Sequence, residues 1–225
     1  MLVSVKRNSL LVLVATSVAI AAPAPQSARP AVVQPSTDNR KVLLVFGDSL
    51  SAGFGLAPGQ SWPERLRAKF DQTGYPWRVV NRSISGDTTQ GGISRLDSAR
   101  NVMPSIVVLE LGGNDGLRGI PLKITRQNLD TMIMSFQSIG AKVVLAGMTL
   151  PPNYGSDYIK GFEKIYKDLA AEHHLVFIPF LLSDIITPDL RYLQEDGIHP
   201  TAQGAEIVSG TVLRVVKPLL GAPKR

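Results

Sequence analysis

One serine and one histidine, far apart in the chain, have the surroundings that nucleophilic catalysis requires. Ser49 lies in a GDSL segment directly after an apolar run, and His199 lies in a loop before a proline. Asp196 precedes His199 by three residues, so one turn of chain can place its carboxylate against the imidazole. The alternative carboxylates for this role are Glu195 and Asp189. A hydroxyl, a base and an orienting carboxylate together predict acyl transfer through a covalent intermediate.

Two further polar segments could supply hydrogen-bond donors to an oxyanion. Gly86 can present a backbone N–H that no side chain shields, and Asn114, after two glycines, can aim its amide at the same point. The N–H of Ser49 itself is the third candidate donor. The alternative interpretations are ordinary turns for Gly86 and Asn114, and a helix cap for Ser49.

Other catalytic chemistries have little support in the composition. The chain has no cysteine, which excludes thiol chemistry, Cys-based metal sites and a disulfide scaffold. It has three histidines, of which His173 and His174 are adjacent at the predicted end of a helix, where a solvated terminus is the expected role. One remaining histidine among scattered carboxylates is poor support for a zinc site, so we expect no metal.

The pattern of apolar residues predicts the elements that must position these groups. Five apolar runs are predicted strands: residues 42–46, 78–80, 106–111, 143–148 and 176–178. Apolar stripes at helical spacing lie between and after them: 62–70, 129–136, 159–169 and 207–215. Strand–helix alternation predicts a three-layer α/β fold with a parallel sheet of about five strands. Sites in such sheets lie at the carboxyl ends of the strands, where all the candidate residues fall.

The N-terminal region is predicted to lie outside this domain. Lys6 and Arg7 precede a short apolar run that ends in an Ala-Ile-Ala sequence, which indicates a secretory signal peptide over residues 1–21. An uncleaved membrane anchor is the alternative. Residues 22–40 are rich in Pro, Ala, Ser and Gln and are predicted to form a flexible linker. The folded domain is then expected over residues 41–221, in an exported protein that is periplasmic or secreted.

The charge pattern gives no sign of a nucleic-acid partner. The formal charge of +6 falls to +4 once Lys6 and Arg7 are removed, and the remaining charges are scattered and alternate in sign. We therefore expect at most weak contact with a membrane surface, and a monomer.

At its polar segments the chain resembles the SGNH (GDSL-type) hydrolase family. The four family letters match Ser49, Gly86, Asn114 and His199 in order, with Asp196 in the D-x-x-H position. The longer segments GDSLSAGFG, SISGDTTQGG, LELGGNDGLRG, LPPNYG and DGIHP resemble the periplasmic bacterial branch of thioesterases, arylesterases and lysophospholipases.

This resemblance implies a flavodoxin-like fold and hydrolysis of acyl esters and acyl thioesters at one site, without metal or cofactor. It also implies a mobile loop near residues 117–123 over a lipid-facing groove. The substrate-binding residues expected there are Gly113, Leu117, Met148, Leu150 and Tyr154. Relatives often carry a bulky or charged residue where Thr149 stands, so its small size leaves the chain-length preference open.

Two rival functions remain open from the sequence. A carbohydrate acetylesterase on the same fold would require a polar groove, whereas the apolar residues near the predicted site favour longer acyl chains. A non-catalytic lipid-binding protein would be expected to lack at least one catalytic residue, and none is missing.

Overall fold

The computed structural model describes residues 38–223. Its centre is a parallel sheet of five strands in the order β2-β1-β3-β4-β5. The strands are β1 (Lys41–Gly47), β2 (Trp77–Asn81), β3 (Ile106–Glu110), β4 (Lys142–Ala146) and β5 (Val176–Ile178). The predicted signal peptide and residues 22–37 of the predicted linker lie outside the described residues.

Both faces of the sheet are buried, as continuous apolar strands predict. Along β1, Leu44 and Phe46 pack into the core on one face, whereas Leu43 and Val45 pack into the core on the other. The three-layer α/β prediction is therefore confirmed. The strand order is that of the flavodoxin-like doubly wound sheet.

Helices cover both faces of the sheet. Phe136 and Phe162 come from helices on one side, and Leu66 and Val212 come from helices on the other. The α-helices are α1 (Ser49–Ala52), α2 (Trp62–Thr73), α3 (Thr89–Ser94), α4 (Leu96–Arg100), α5 (Gly113–Leu117), α6 (Leu122–Ser138), α7 (Ser156–Glu172) and α8 (Ala202–Leu220). Within residues 38–223, no helix combines the length and apolarity needed to cross a membrane.

Local signals explain where several elements begin and end. The carboxylate of Glu64 accepts hydrogen bonds from the N–H and the hydroxyl of Ser61, which closes the predicted capping box at the start of α2. The third strand ends at Glu110, one residue before the predicted end, because Gly112 adopts a positive φ of 113°. The four short helices α1, α3, α4 and α5 carry too few residues for a helical period to show in the sequence.

The topology creates a crevice where the chain reverses its direction across the sheet. From β1 the chain goes to β2 at one edge, and it then crosses back to β3 on the other side of β1. Connections that diverge in this way leave an opening at the carboxyl ends of the two strands. Ser49 follows β1 and Asn114 follows β3, so both lie at this opening.

Candidate active site

The turn between β1 and α1 leaves the Ser49 hydroxyl free for chemistry. Asp48 is the N-cap of α1 and accepts a hydrogen bond from Leu50 N at 3.1 Å. Ser49 is the first residue of the helix and is partly exposed. Because Asp48 caps the helix, the alternative role of Ser49 as a cap is not needed.

The structure brings together Ser49, His199 and Asp196. The Nε2 atom of His199 is 2.8 Å from the Ser49 hydroxyl oxygen, and its Nδ1 atom is 2.6 Å from Asp196 Oδ2. The other carboxylate oxygen of Asp196 accepts the backbone N–H groups of Ile198 and His199 at 2.9 and 3.0 Å. Partial burial raises the pKa of Asp196, but these bonds and the one from the His199 side chain outweigh it and hold the pKa below its ordinary value.

The alternative residues lie elsewhere. Asp189 contacts Thr187 and Arg191, and Glu195 is exposed to solvent. His173 ends α7, as predicted, and its Nε2 atom lies 2.6 Å from a carboxylate oxygen of Asp130. His173 therefore forms a partly buried pair with Asp130 of α6, whereas the sequence predicted a solvated helix end.

Two residues that sequence reasoning missed hold the loop of the histidine against the loop of the serine. The amide of Gln194 donates to the carbonyl oxygens of Phe54 and Pro200 at 2.8 and 2.9 Å. The Phe54 ring packs on the His199 imidazole with centroids 4.6 Å apart. A glutamine and an aromatic residue in loops carry no distinctive sequence signal, so only the three-dimensional arrangement reveals them.

Two of the predicted oxyanion donors have free N–H groups. Within residues 38–223, the N–H groups of Ser49 and Gly86 donate to no protein acceptor. Gly86 has a positive φ of 77°, which favours glycine, and Arg118 donates to its carbonyl oxygen at 2.8 Å.

The third predicted donor is already engaged. The Asn114 amide nitrogen donates to Asp48 Oδ2 at 3.1 Å and to the backbone oxygen of Asp87 at 2.9 Å. Both amide hydrogens are therefore occupied in this state. To serve an oxyanion, Asn114 must share or exchange one of these bonds.

A buried pair of carboxyl groups lies beneath the site. Asp48 is 2% exposed and Glu110, the last residue of β3, is 0% exposed. Burial, and then the charge of Asp48, raises the pKa of Glu110 well above its ordinary value, and burial raises the pKa of Asp48 to about 6. Sequence reasoning missed Glu110, although one acidic residue inside an otherwise apolar central strand is a readable signal.

An apolar cavity of about 290 Å³ opens next to the catalytic pair, because Leu50 and Ile198, the chain neighbours of Ser49 and His199, line it. Of the predicted substrate-binding residues, Gly113, Leu117, Met148 and Leu150 line it. Tyr154 is not among the lining residues. Its hydroxyl donates to the carbonyl oxygen of Leu117 at 2.9 Å, so it supports a lining residue without facing the cavity itself. Further lining residues come from the segment after β5, which was not predicted to contribute: Phe180, Leu182, Ile186, Leu190, Leu193 and Ile198.

No group of three or more His, Cys, Asp or Glu side chains within residues 38–223 is arranged to hold a metal ion. The chemical groups at the site are instead a hydroxyl, an imidazole, carboxylates and free backbone N–H donors. These are the groups that hydrolysis through an acyl-serine intermediate requires.

The doubly wound sheet and the contacts among Ser49, His199 and Asp196 define a serine hydrolase of the three-layer α/β type. The chain belongs to the GDSL-like Lipase/Acylhydrolase family, whose sequence model matches residues 45–207. The family predicted from the sequence is confirmed.

Similar proteins cover most of the chain. It is 43% identical to "Esterase TesA" of Pseudomonas aeruginosa over 80% of this chain and 90% of that protein. It is 36% identical to "Thioesterase 1/protease 1/lysophospholipase L1" of Escherichia coli over 79% of this chain and 84% of that protein.

Solved structures agree with these relatives. A crystal structure of TesA matches with a TM-score of 0.75 at 43% identity, over 80% of this chain and all of that one. The esterase EstA from Pseudoalteromonas, described as inhibited by monoethylphosphonate, matches with a TM-score of 0.75 at 32% identity, over 80% of this chain and 98% of that one.

Proposed function

We propose that this chain is an exported acyl hydrolase that cleaves esters and thioesters of a single acyl chain, lysophospholipids among them. The observation that carries the proposal is the hydrogen bond of 2.8 Å between Ser49 Oγ and His199 Nε2 at the edge of an apolar cavity of about 290 Å³. This volume is at the lower end of the usual range for small-molecule sites, which suits one acyl chain.

The chemistry proceeds through an acyl-enzyme. His199 accepts the hydroxyl proton as Ser49 Oγ attacks the acyl carbonyl, and Asp196 stabilises the imidazolium that forms. The N–H groups of Ser49 and Gly86 and the amide of Asn114 donate to the oxyanion. His199 then gives its proton to the leaving group, and water attacks the acyl-Ser49 ester in the same way, restoring the free hydroxyl.

The leaving group can be either an alcohol or a thiol. Thiols have a pKa of about 8.5, far below that of alcohols, so a thiolate departs readily from the same intermediate. The relatives named as an esterase and a thioesterase support this breadth.

The cavity mouth supports an amphiphilic substrate. Ile186 and Leu190, which line the cavity, are 49% and 46% exposed, and Phe54, which packs on His199, is 50% exposed. Apolar side chains grouped around a site suit a lipid-like acyl ester. They argue against the alternative of a carbohydrate acetylesterase, which would require a polar groove.

The cavity contains one polar position that bears on chain length. Thr149 lines the cavity, and its hydroxyl donates a hydrogen bond to the Glu163 carboxylate at 2.7 Å. The hydroxyl hydrogen is therefore already engaged with protein. We infer that a small residue at this position leaves room for a chain of medium length.

Activity on a substrate series tests the function. Esters, acyl thioesters and lysophospholipids of increasing chain length should all be hydrolysed, and Ser49→Ala should abolish every activity while folding normally. Ser138→Ala, which removes a hydroxyl bonded only to Ser135 at the end of α6, is the matched control. Wild-type turnover in Ser49→Ala would overturn the assignment.

Export is tested by the N-terminus of the mature protein. The basic residues, apolar run and Ala-Ile-Ala sequence favour cleavage after Ala21. Mass spectrometry of the protein recovered from the periplasm or medium should therefore find Ala22 first. A full-length chain held in the membrane fraction would instead support the anchor. We also expect a monomer, with at most weak contact to membrane surfaces.

A further inference from the structure

Glu110 is a buried carboxyl group that the proposed mechanism does not use. It ends the central strand β3 beside Gly47, the last residue of β1, and it is fully buried. A Cβ atom at Gly47 would collide with Glu110 Oε2, so this carboxyl group fits tightly beneath the turn that carries Ser49. A buried acid at this place requires an explanation in terms of its partners.

One oxygen of Glu110 has ample donors, and the other has none. Oε2 accepts the Asp48 N–H at 3.2 Å and the Ser51 hydroxyl at 2.5 Å, and Ser51 in turn accepts from the Trp62 indole at 3.2 Å. Oε1 is buried and has no hydrogen-bond donor among the described residues. A buried oxygen without a donor is costly in an ionised carboxylate, whereas in a protonated one it can itself donate.

The acceptor for such a proton is Asp48. Asp48 adjoins Glu110, because its backbone N–H donates to Glu110 Oε2 at 3.2 Å and both side chains are buried. Among the described residues, no salt bridge joins either carboxyl group to a cation, since Arg95 pairs with Asp87 and His199 with Asp196. The nearby titratable groups are His199 in the catalytic loop, Tyr166 of α7, and Arg95, which donates to the Gly47 carbonyl oxygen. Two adjacent buried carboxylates without a cation cannot both be ionised, so they retain one proton between them.

Asp48 transmits the effect to the catalytic groups. Its carboxylate accepts the Leu50 N–H, which shapes the turn at Ser49, and the Asn114 amide at 3.1 Å. We propose that Glu110 is a positioning residue: it stays a neutral acid, donates its proton to Asp48, and so holds Asp48 where it orients the Ser49 turn and the Asn114 amide.

The direction of the pKa shifts agrees with this geometry. Burial and the charge of Asp48 raise the pKa of Glu110, and burial raises the pKa of Asp48, so the pair favours keeping a proton. Within residues 38–223, both oxygens of Asp48 accept N–H donors whereas Glu110 Oε1 accepts none, which places that proton on Glu110. No bond to substrate is involved, and the proton stays on Glu110 throughout turnover.

Two substitutions distinguish a neutral donor from an ionised carboxylate. In Glu110→Gln, the amide oxygen can accept from Ser51 and Asp48 N–H while the NH₂ group donates to Asp48, so kcat and KM should stay within about threefold of wild type. Glu110→Leu has no polar atoms and should lower kcat at least about tenfold with little change in KM. An equal loss of kcat in both variants, or full kcat in Glu110→Leu, would overturn the proposal.

Infrared spectroscopy tests the proton directly and does not depend on activity or on the folding of Glu110→Leu. At about pH 8 ordinary carboxyl groups are ionised, so the wild type should show one protonated-carboxyl band that is missing in Glu110→Gln. Absence of the band, or its persistence in the variant, contradicts the proposal. The positioning role rests on the proposed function of Ser49 and Asn114, whereas the infrared band reports only whether Glu110 is protonated. A band without any kinetic effect would therefore contradict the positioning role, and inactivity of the wild type would contradict the proposed function.

Discussion

At the scale of single residues, the proposed role of Asn114 competes with the hydrogen bonds that it already makes. Its amide hydrogens are taken up by Asp48 and by the Asp87 carbonyl oxygen, yet its proposed task is to stabilise an oxyanion. The two free N–H groups of Ser49 and Gly86 need no such exchange. Asn114 is therefore expected to contribute mainly when charge develops on the substrate oxygen, because only then does a stronger acceptor compete for its hydrogen.

Replacement of Asn114 by alanine tests whether its amide stabilises the transition state more than the bound substrate. We expect kcat to fall about a hundredfold, corresponding to the loss of one oxyanion donor, with KM nearly unchanged because the acyl cavity stays intact. Steady-state kinetics with a short nitrophenyl ester measures both constants. Asn101→Ala, at the exposed end of α4, is the control. A raised KM with unchanged kcat would make Asn114 a binding residue.

The residues predicted from the sequence are those with a short, ordered pattern. Ser49, His199 and Asp196 were assigned because their residue types and spacing suit acyl transfer, and the structure places them in contact. Gln194 was not assigned because a loop glutamine belongs to no recognisable pattern, and Glu110 was not assigned although an acidic residue in an apolar strand marks it.

At the scale of elements, two tyrosines support the wall of the cavity. The Tyr154 hydroxyl donates to the Leu117 carbonyl oxygen, and the Tyr158 hydroxyl lies 3.4 Å from the carbonyl oxygens of Gly116 and Ile120. These carbonyl groups belong to the end of α5 and the loop before α6, where the resemblance implies mobility. The hydroxyl groups supply hydrogen bonds that a free loop would lack.

Replacement of Tyr154 by phenylalanine should loosen this wall. Loss of one hydrogen bond costs about 1 kcal/mol, so we expect KM for a medium-chain ester to rise about fivefold. Amide hydrogen exchange at residues 117–120 should become faster in parallel. Tyr75→Phe is the matched control, because the Tyr75 hydroxyl makes no hydrogen bond within residues 38–223. Unchanged exchange at these amides would show that the hydroxyl does not restrain the loop.

At the scale of the whole molecule, the fold was predictable because it follows from hydrophobic periodicity. Long apolar strands and helical stripes predicted the layers, and the observed strand order explains why distant segments meet at one opening. The part of the cavity lining between Phe180 and Ile198 was not predicted, because that segment is mostly irregular and its apolar residues have no regular period. Which loop residues line a cavity depends on the conformation of the loop, and the spacing of apolar residues in the sequence does not determine that conformation.

The buried proton has a consequence for the stability of the whole chain. In the unfolded state Glu110 is ionised at neutral pH, whereas the native state is proposed to retain its proton, so folding takes up one proton. A raised native pKa means that the associated stability is present at low pH and is lost as pH rises towards that pKa. The free energy of unfolding should therefore fall by about 1.4 kcal/mol per pH unit from this group alone.

Glu110→Gln isolates this contribution, since the other titratable groups are shared and cancel in the difference. We expect the variant to gain on the wild type by about 1.4 kcal/mol for each pH unit above the pKa of about 6 for Asp48, until the pH reaches the raised pKa of Glu110. Urea unfolding at several pH values measures this difference. Ser138→Ala, which changes no titratable group, should show a constant difference from wild type. If Glu110→Gln did the same, Glu110 would already be ionised in the native protein, and the buried pair would carry two charges.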